Sequence, residues 1–464
     1  MNSDRKSTNT KSEQTTRRAR RWRRIKKTSE STRQKSTKNS APSRVEDQEW
    51  YHGLVPKIDT NIMLRKDGDF LVRRTQIDNV SSDLISVMWN KQVRHLQIKK
   101  SAKSGHYYIA DKEFDSVIDM IAWYMKRSEP LGKLGVLLKC PIPRQHWELR
   151  HDQLQLFKKL GEGAFGEVWL GALRQYQEKP VPVAVKRSRT TTELTKEEIE
   201  AMMCEARVQA KFDHRNVVKF FGVVADKPPV MLVLEFAAHG SMDKFLQKNG
   251  ARLSVLRLTT FCLEAASGMK YLHRQQCIHR DIAARNYLLT AEQTVKISDF
   301  GLTKEGGLHK LNAHEKVPIK WLAIETLTDR VYTYKTDVWS YGITLWEIFS
   351  EGQDPYPGLT TIQVQRKLMS EKHFRMQPPA RAPPKIAELM LFCWMALPKM
   401  RPSFTEIERI IGLEVAHQTS DVGTATAKPK KKLTPKVQSE QNDRKAKKAK
   451  SAGNSTSLPK TAPT

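Results

Sequence analysis

The sequence contains few cysteines and no long apolar segment. Its five cysteines are scattered and odd in number, and no two of them form a Cys-x-x-Cys pair, which argues against a disulfide framework or a zinc site. No apolar run approaches the roughly 18 residues that a membrane-spanning helix needs. There is no apolar signal segment at the start, residue 2 is Asn rather than the Gly of N-myristoylation, and no Cys near the end could be prenylated. These absences predict a soluble, cytoplasmic protein.

Acidic residues are scarce relative to basic ones. The chain has 80 Lys and Arg against 50 Asp and Glu, a formal net charge of +30. Much of the excess lies at the two ends, because residues 1–44 hold 15 basic and 3 acidic side chains and residues 416–464 hold 11 and 3. Both ends carry too few apolar side chains to offset the entropy that is lost on ordering. The sequence therefore predicts disordered basic tails over these two ranges.

The N-terminal tail contains the dense basic cluster RRARRWRRIKK at residues 17–27. Three interpretations remain open: a solvated tail, a nuclear-localisation signal, and a contact with anionic lipids at the inner face of the plasma membrane. Trp22 favours the membrane, since Trp prefers the membrane interface. Sequence-specific nucleic-acid recognition is not expected, because no base-reading fold accompanies the tail.

Between the tails, composition and periodicity divide the chain into two globular segments. They span residues 50–143 and 154–413, and a short polar linker at 144–153 joins them. Alternating apolar residues in the first segment predict strands, and helical spacing at 114–125 predicts a helix. The second segment begins with strand-like pieces and then shows helical patterns such as 258–274. These patterns predict an α+β fold in which a small, sheet-rich lobe precedes a larger helical lobe.

A glycine-rich stretch opens the second segment. The sequence LGEGAFGEV contains Gly-x-Gly-x-x-Gly-x-Val, whose positions without side chains let backbone N–H groups approach phosphates closely. A dinucleotide-binding turn shares this spacing, so the motif alone is weak. Here the glycines lie between two strand-like pieces, and Val-Ala-Val-Lys ends at Lys186, 20 residues beyond Gly166. The candidate nucleotide-binding residues of this stretch are Leu160, Gly161, Glu162, Gly163, Ala164, Phe165, Gly166, Glu167 and Val168.

Lys186 taken alone is typical of the surface of a strand. The glycine-rich stretch before it makes a contact with the α- and β-phosphates of a nucleotide the better interpretation. A lysine in that role needs a carboxylate to orient it. Glu205, within a predicted helix at 197–210, is the candidate, and the other acids of that helix are expected to be solvated.

The stretch His-Arg-Asp-Ile-Ala-Ala-Arg-Asn at 279–286 carries the candidates for catalysis. Asp281 would accept the proton of a substrate hydroxyl, and Asn286 would hold a magnesium ion. Asp299, in an Asp-Phe-Gly triplet eighteen residues beyond Asp281, would hold magnesium between the β- and γ-phosphates. Each motif alone occurs by chance, but all of them in this order predict phosphoryl transfer from ATP.

With these motifs in place, residues 154–413 resemble a protein kinase catalytic domain. Ala-Ala-Arg at 283–285 and Val-Pro-Ile-Lys-Trp at 317–321 resemble tyrosine kinases, whereas serine/threonine kinases usually carry Lys at the place of Ala283. The resemblance implies ATP and Mg²⁺ as cofactors and tyrosine as the acceptor. It also implies the catalytic residues Asp281, Lys186, Glu205 and Arg285, the metal ligands Asn286 and Asp299, and a gatekeeper and adenine hinge at Leu234, Glu235 and Ala237.

The resemblance further implies two contacts that support the site. Asp337 would brace the catalytic loop, and Glu325 would form an ion pair with Arg401. The triplet at 323–325 reads Ala-Ile-Glu where the family has Ala-Pro-Glu. Because the Glu is retained, we expect a small effect.

Two departures from the kinase pattern concern regulation. Gln209 stands four residues after Glu205, where the family packs an apolar residue onto the Phe of Asp-Phe-Gly. A buried amide without partners costs about 1–3 kcal/mol, so the packing of the active state is expected to be weakened. Residues 302–320 contain no Tyr, and His309 lies near the usual phosphorylation position. Arg280 is therefore expected to have no phosphotyrosine to pair with, and regulation by phosphorylation of this segment is not expected.

Residues 50–143 resemble an SH2 domain, a phosphotyrosine-binding module with a central antiparallel sheet flanked by two helices. Trp-Tyr-His-Gly at 50–53 and Phe-Leu-Val-Arg at 70–73 carry the resemblance. Arg73 would bind the phosphate through two parallel hydrogen bonds, which suit a guanidinium and not an ammonium group. Arg74 replaces the Glu that is usual there, and this is not expected to abolish the pocket. The implied phosphotyrosine-binding residues are Lys57, Arg73, Thr75 and His95.

An SH2 domain followed directly by a tyrosine kinase, with Trp-Glu-Leu at 147–149 between them, resembles the Fes/Fer subfamily and its short nematode-type members. We therefore predict an active non-receptor protein tyrosine kinase that its SH2 domain recruits to phosphotyrosine proteins in signalling. The competing hypothesis is a catalytically weak or inactive SH2 adaptor. Gln209 and the missing tyrosine motivate that alternative, and the intact catalytic motifs argue against it.

Overall fold

The computed structural model describes residues 44–426 except 79, 164–165, 176–178, 189–194, 313–314, 316 and 371–373. The chain divides into two units, Met1–Ala416 and His417–Thr464, and of the second the structure describes only residues 417–426. The basic cluster at 17–27 and nearly all of both predicted tails thus lie outside the described residues. Among the helices that are described, none combines the length and the apolarity needed to cross a membrane.

The N-terminal segment is built on a four-stranded sheet. Its elements are α1 (Lys57–Met63), β1 (Asp69–Ile77), β2 (Val80–Trp89), β3 (Gln92–Gln97), β4 (Lys99–Lys100), β5 (Tyr107–Tyr108), β6 (Glu113–Phe114), α2 (Val117–Arg127) and β7 (Cys140–Pro141). The sheet order is β3-β2-β1-β7, with the first three strands antiparallel and β7 parallel to β1. Alternate side chains of β1 and β2, such as Phe70 and Ile85, share a core with Met120 of α2. The predicted antiparallel sheet with two helices is confirmed.

Helix α2 begins three residues later than the apolar spacing predicts. Ser116 caps it, because its hydroxyl accepts a hydrogen bond from the N–H of Asp119 at 3.0 Å. Phe114, which the pattern assigned to the helix, lies in β6 and packs on the same core. Phe114 lies three residues before Val117, so its spacing matched a helical pattern although it lies outside α2.

The small lobe of the second segment contains a six-stranded sheet and one long helix. Its elements are β8 (Glu148–Leu149), β9 (Leu154–Gly163), β10 (Gly166–Leu173), β11 (Val181–Arg187), α3 (Lys196–Gln209), β12 (Phe220–Val224) and β13 (Met231–Glu235). The sheet order is β8-β12-β13-β11-β10-β9. Thr195 and Glu198 cap α3 reciprocally: the Thr195 hydroxyl accepts from the N–H of Glu198 at 3.2 Å, and the Glu198 carboxylate accepts from that of Thr195 at 2.9 Å.

The large lobe is mostly helical. Its helices are α4 (Met242–Asn249), α5 (Val255–Arg274), α6 (Ile324–Asp329), α7 (Tyr334–Phe349), α8 (Thr361–Ser370), α9 (Pro384–Cys393) and α10 (Phe404–Thr426). Its short strands are β14 (Gly240–Ser241), β15 (Cys277–Ile278), β16 (Tyr287–Leu289), β17 (Val295–Ile297), β18 (Lys304–Glu305), β19 (Leu308–Lys310) and β20 (Val331–Thr333). Every residue of α7 from Thr336 to Phe349 is buried, so this helix forms the centre of the lobe.

Helix α10 continues to Thr426, so the prediction of disorder is wrong for residues 416–426. The sequence between Leu413 and Gly423 contains neither Pro nor Gly, so nothing local ends the helix where the composition changes. Composition shows only that apolar residues become scarce in this range, whereas a helix that has already begun can continue through polar residues.

The predicted linker is part of the small lobe rather than a separate connector. Glu148 and Leu149 form β8, which runs parallel to β12, and Leu149 is buried in the core of the sheet. Two neighbouring residues of the N-terminal segment also reach this lobe. The N–H of Leu54 donates to the carbonyl of Ala225 at 2.7 Å, and Gly53 lies so close that a Cβ there would be 2.1 Å from the same oxygen. Glycine at 53 is required by this approach and by its φ of +63°.

Candidate functional site

The stretch at 279–286, the catalytic loop, is held in place by Asp337, which lies on the buried helix α7. Its carboxylate accepts hydrogen bonds from the backbone N–H groups of His279 and Arg280, at 2.8 and 2.9 Å. Arg280 has a φ of +72°, a left-handed conformation that is strained for any residue except Gly. The Asp337 bonds hold the backbone in this conformation, and the brace implied by the family resemblance is present.

Asp281 lies next in the loop, and two side chains from the same stretch fix it. Arg285, one helical turn away, forms an ion pair with its carboxylate. The amide of Asn286 donates to its backbone carbonyl at 2.7 Å. Arg285 also stacks on the ring of Trp321 at 4.4 Å, which joins the loop to the segment at 317–321. The arrangement presents a positioned carboxylate that can accept the proton of a hydroxyl group.

Lys186, Glu205 and Asp299 meet between the two lobes. The ammonium group of Lys186 donates to both carboxylate oxygens of Glu205 at 2.8 Å and lies 3.4 Å from Asp299. Burial by itself would lower the pKa of Lys186, but the two carboxylates outweigh it and raise that pKa. The lysine is therefore charged, and α3 stands where Glu205 can orient it.

Asn286 and Asp299 are joined through Ser298, the residue that precedes Asp299. The backbone N–H and the hydroxyl of Ser298 both donate to the carbonyl of Asn286 at 2.9 Å, which places Asp299 beside the catalytic loop. Asp299 itself has a φ of +62°. A carboxylate and an amide oxygen are the hard donors that Mg²⁺ prefers. In the described part of the chain no cluster of three His, Cys, Asp or Glu could hold a metal ion.

The glycine-rich stretch forms the turn between β9 and β10. Leu160, Gly161, Glu162 and Gly163 end β9, Gly166, Glu167 and Val168 begin β10, and Ala164 and Phe165 lie outside the described residues. Gly166 has a φ of +124°, and a Cβ on it would be 2.1 Å from the carbonyl of Arg187. Glu167 belongs to a local network, since Lys159, Trp169 and Arg187 all donate to its carboxylate and lower its pKa to about 2. Its side chain therefore stabilises the strand pair.

The predicted gatekeeper, Leu234, and the predicted hinge residues Glu235 and Ala237 lie at or just beyond the end of β13. Leu234 pairs with Ala184 on β11, two residues from Lys186. The carboxylate of Glu235 accepts from the ammonium group of Lys296 at 2.9 Å and from the backbone N–H of Lys219 at 3.0 Å. Because the Lys296 ammonium group and the Lys219 N–H engage its side chain, Glu235 offers an adenine ring only its backbone. Ala237 follows and is buried.

Phe300 is buried and packs against two rings. The ring centroids of Phe212 and His279 each lie 5.2 Å from that of Phe300. Gln209 is also buried, and its amide nitrogen donates to the carbonyl of Val218 at 3.3 Å, whereas its oxygen has no partner among the described residues. The predicted penalty therefore applies to one atom of Gln209, and Phe212 supplies apolar packing on Phe300 that the sequence did not suggest.

Arg280 has a partner that the sequence did not reveal. Its guanidinium lies 2.7 Å from the carboxylate of Glu315, which belongs to the segment at 302–320. The sequence predicted only that no phosphotyrosine would pair with this arginine, and it did not suggest that a carboxylate of the same segment would do so. The only available signal was weak, because Glu305 and Glu315 are the two acids of the segment and no motif distinguishes them. The second pair implied by the family resemblance, Glu325 with Arg401, is present at 2.7 and 2.8 Å.

A second site lies in the N-terminal segment. Lys57, Arg73 and Thr75 line one cavity of about 410 Å³. Arg73 is buried, and its guanidinium donates to the hydroxyl of Ser86 at 3.3 Å and to the carbonyl of Val55 at 3.4 Å. His95 does not line the cavity but lies 2.9 Å from the Ser86 hydroxyl. Burial, with Arg73 and Lys57 nearby, lowers the pKa of His95 to about 4, so the ring is neutral at physiological pH.

The same cavity extends to the small lobe. Lys196, Ile199 and Pro228 contribute to its lining. Arg74 lines it too, but Asp83 takes up its charge through two bonds of 2.8 and 3.0 Å. No pattern in the sequence indicated that the start of α3 would border this pocket.

An ion pair and a hydrogen bond join the N-terminal segment to the small lobe. The carboxylate of Asp59, on α1, accepts from Arg207 on α3 at 2.6 Å. The ring of His52 lies 2.8 Å from the carboxylate of Glu148 in β8. Because α3 carries both Arg207 and Glu205, the ion pair connects the cavity-bearing segment to the helix that orients Lys186.

Comparison with known proteins agrees with this geometry. The protein tyrosine and serine/threonine kinase family matches residues 154–411, and the SH2 domain family matches residues 50–124. The chain is 39% identical over 385 residues to Fer-related kinase 1 of Caenorhabditis elegans, with 82% of this chain and 97% of the relative covered. It is 36% identical over 367 residues to tyrosine-protein kinase Fer of Homo sapiens, covering 78% of this chain and 43% of that protein.

A viral relative completes the comparison. The chain is 36% identical over 376 residues to the tyrosine-protein kinase transforming protein Fps of Avian sarcoma virus, covering 80% of this chain and 68% of the relative. The chain thus spans nearly the whole of the C. elegans relative and less than half of the human one. Its kinase and SH2 matches, their order and these identities show that the chain belongs to the protein tyrosine kinase family, as an SH2-containing member of the Fes/Fer subfamily.

Proposed function

We propose that this chain transfers the γ-phosphate of ATP to tyrosine side chains of protein substrates, with Mg²⁺. The observation that carries the proposal is the charged contact among Lys186, Glu205 and Asp299 beside the braced Asp281. Phosphoryl transfer needs positioned charges more than covalent chemistry, and these four side chains supply them. A half-satisfied Gln209 favours the weak or inactive alternative, but it leaves the Lys186–Glu205 pair intact.

In this mechanism each residue holds a charge or a proton at a stated atom. Lys186 would bind the α- and β-phosphates, and Asn286 and Asp299 would hold the metal ion, which would supply positive charge against the negative charge of the phosphates. Asp281 orients the tyrosine hydroxyl and takes its proton. The bond between this oxygen and the γ-phosphorus forms while the bond to the β,γ-bridging oxygen breaks, leaving ADP. Arg285, paired with Asp281 and stacked on Trp321, holds the carboxylate toward the acceptor.

We further propose that the SH2 domain binds phosphotyrosine through Arg73, Lys57 and Thr75, with His95 acting through Ser86. Such binding would recruit the enzyme to phosphorylated partners in the cytoplasm, and the basic tails would offer a contact for anionic membranes. The Asp59–Arg207 pair supports a mechanical connection from this domain to α3.

The purified full chain, assayed with ATP, Mg²⁺ and a tyrosine peptide, tests the proposal. The Asp281→Asn variant should lower kcat at least about 100-fold, because the hydroxyl loses its proton acceptor. A peptide with Phe in place of Tyr controls for acceptor identity. Equal phosphate incorporation by the wild type and Asp281→Asn would contradict the kinase and favour the adaptor.

A further inference from the structure

Arg280 is a buried cation in the middle of the catalytic loop. Its guanidinium donates to the carbonyl of Leu302 at 3.3 Å and stacks on the ring of Tyr332 at 4.4 Å. The third contact, 2.7 Å to Glu315, is its one ion pair among the described residues. A buried guanidinium needs an anion nearby, so Glu315 determines whether this group is stable where it lies.

Glu315 is itself held in position by its own segment. Its second carboxylate oxygen accepts from the backbone N–H of Asn312 at 3.4 Å. Arg330 donates to the carbonyl of Asn312 at 2.6 Å, and the N–H of Leu311 donates to the carbonyl of Arg330 at 2.8 Å. The carboxylate therefore connects the catalytic loop to a hydrogen-bonded part of the 302–320 segment.

A pair of strands continues this connection. Strand β19 pairs antiparallel with β20, with His309 opposite Tyr332. Tyr332, on β20, is the ring on which Arg280 stacks, so the cation of the Arg280–Glu315 pair contacts this pair of strands. Residues 308–310 of the segment are thus paired with the strand that Arg280 contacts.

We propose that Glu315 is a positioning residue whose carboxylate supplies, without any modification, the negative charge that holds Arg280 and the 302–320 segment in place for substrate. This inference rests on the proposed kinase activity. No Tyr occurs at 302–320, so the carboxylate of Glu315 takes the place of a negative charge that phosphorylation would otherwise have to add. The chain then needs no phosphotyrosine in this segment to reach full activity.

The first test uses the wild-type full chain. The protein is treated with a tyrosine phosphatase, freed of it, and assayed at once with ATP, Mg²⁺ and a tyrosine peptide. We expect a linear time course from the start and a rate within about twofold of that of untreated protein. A lag, or a rate about tenfold lower that recovers after incubation with ATP, would overturn the proposal.

The second test removes the charge. Glu315→Gln should lower kcat/KM about tenfold, and Glu315→Asp should recover part of the loss because it keeps the carboxylate. Glu388→Gln is the matched control, since it breaks a surface ion pair with Lys385 outside this segment and should leave kcat/KM unchanged. Glu315→Gln with wild-type kcat/KM would refute the role.

The third test reintroduces a charge by modification. Glu315→Tyr should be about tenfold slower than the wild type after phosphatase treatment, and incubation with ATP should raise its rate as mass spectrometry detects phosphate at residue 315. Full activity of the dephosphorylated Glu315→Tyr protein would show that no charge is needed there.

A readout that does not depend on catalysis separates this inference from the proposed function. Amide hydrogen exchange in β19 should be faster in Glu315→Gln than in the wild type or Glu388→Gln, whether or not the chain phosphorylates peptides. If exchange rises but the wild type matches Asp281→Asn in activity, the proposed function fails while the pairing stands. If exchange in β19 is unchanged, Glu315 does not hold the segment.

Discussion

Arg73 and Arg280 are two buried arginines with opposite surroundings. Both are almost wholly inaccessible, with 5% and 4% of their surface exposed. Arg280 has the carboxylate of Glu315 at 2.7 Å, whereas Arg73 donates hydrogen bonds to a hydroxyl and a carbonyl. Burial lowers the pKa of Arg73, and no carboxylate within the described residues opposes that effect. An arginine whose anion is internal is structural, and one without an internal anion is ready to bind an external anion.

The largest expected effect comes from removing the arginine that lacks an internal anion. Arg73→Ala should weaken binding of a phosphotyrosine peptide at least about 100-fold, because two charge-assisted hydrogen bonds to the phosphate are lost. Arg74→Ala is the matched control on the same strand, and it should change affinity less than about threefold because Asp83 already satisfies Arg74. Isothermal titration of the full chain measures both. Similar losses for the two variants would break the comparison.

Glu347 extends the comparison to a buried anion. Its carboxylate accepts from the N–H of Ala284 at 2.9 Å and from the indole of Trp321 at 3.1 Å, but it forms no ion pair in the described part of the chain. Burial raises its pKa to about 7, against the opposing effect of these donors. The Glu347 carboxylate therefore links the catalytic loop to the indole of Trp321, and burial disfavours its charged form.

The sign of the resulting pH dependence follows from this shift. Between pH 4.5 and about 7 the folded protein retains a proton on Glu347 that the unfolded chain has lost, so this group stabilises the fold at low pH and stops doing so as pH rises through 7. Glu347→Gln cannot ionise and should gain stability relative to the wild type by up to about 3 kcal/mol from pH 5 to pH 8. Thermal unfolding of both proteins at each pH measures this. A difference in melting temperature that does not vary with pH would contradict it.

The smallest expected effect concerns the pair between Asp59 and Arg207, in which each charge has its counter-ion across the two domains. Arg207 is partly exposed, so water can solvate its guanidinium when the carboxylate is removed. Asp59→Asn should therefore lower the free energy of unfolding by only about 1 kcal/mol. The melting temperature should fall by about 2–4 °C. In a double-mutant cycle with Arg207→Gln the two losses should not add, and full additivity would show that the pair contributes nothing.

Sequence patterns alone established the family, the order of the two domains and the candidate residues for the chemistry. These came from short motifs, such as the glycine-rich stretch and the loop around Asp281, in which chemistry requires given residue types at fixed spacing. Helix α5 was also predictable, because the apolar spacing at 258–274 is a local pattern in the chain. The start of α2 and the end of α10 were predicted wrongly, since a cap or a helix that simply continues is not visible in composition.

Which oppositely charged side chains come into contact depends on the tertiary structure. Arg280 and Glu315 are 35 positions apart, and Asp59 and Arg207 are 148 apart, so no spacing rule relates them. In the sequence, Arg280 lies in the catalytic loop and no Tyr occurs at 302–320. This suggested that regulation by phosphorylation of that segment is absent. The fold brings a carboxylate to Arg280 and the start of α3 to the cavity at Arg73. The reason is that the packing of whole elements, rather than a local pattern, sets the distance between side chains that are remote along the chain.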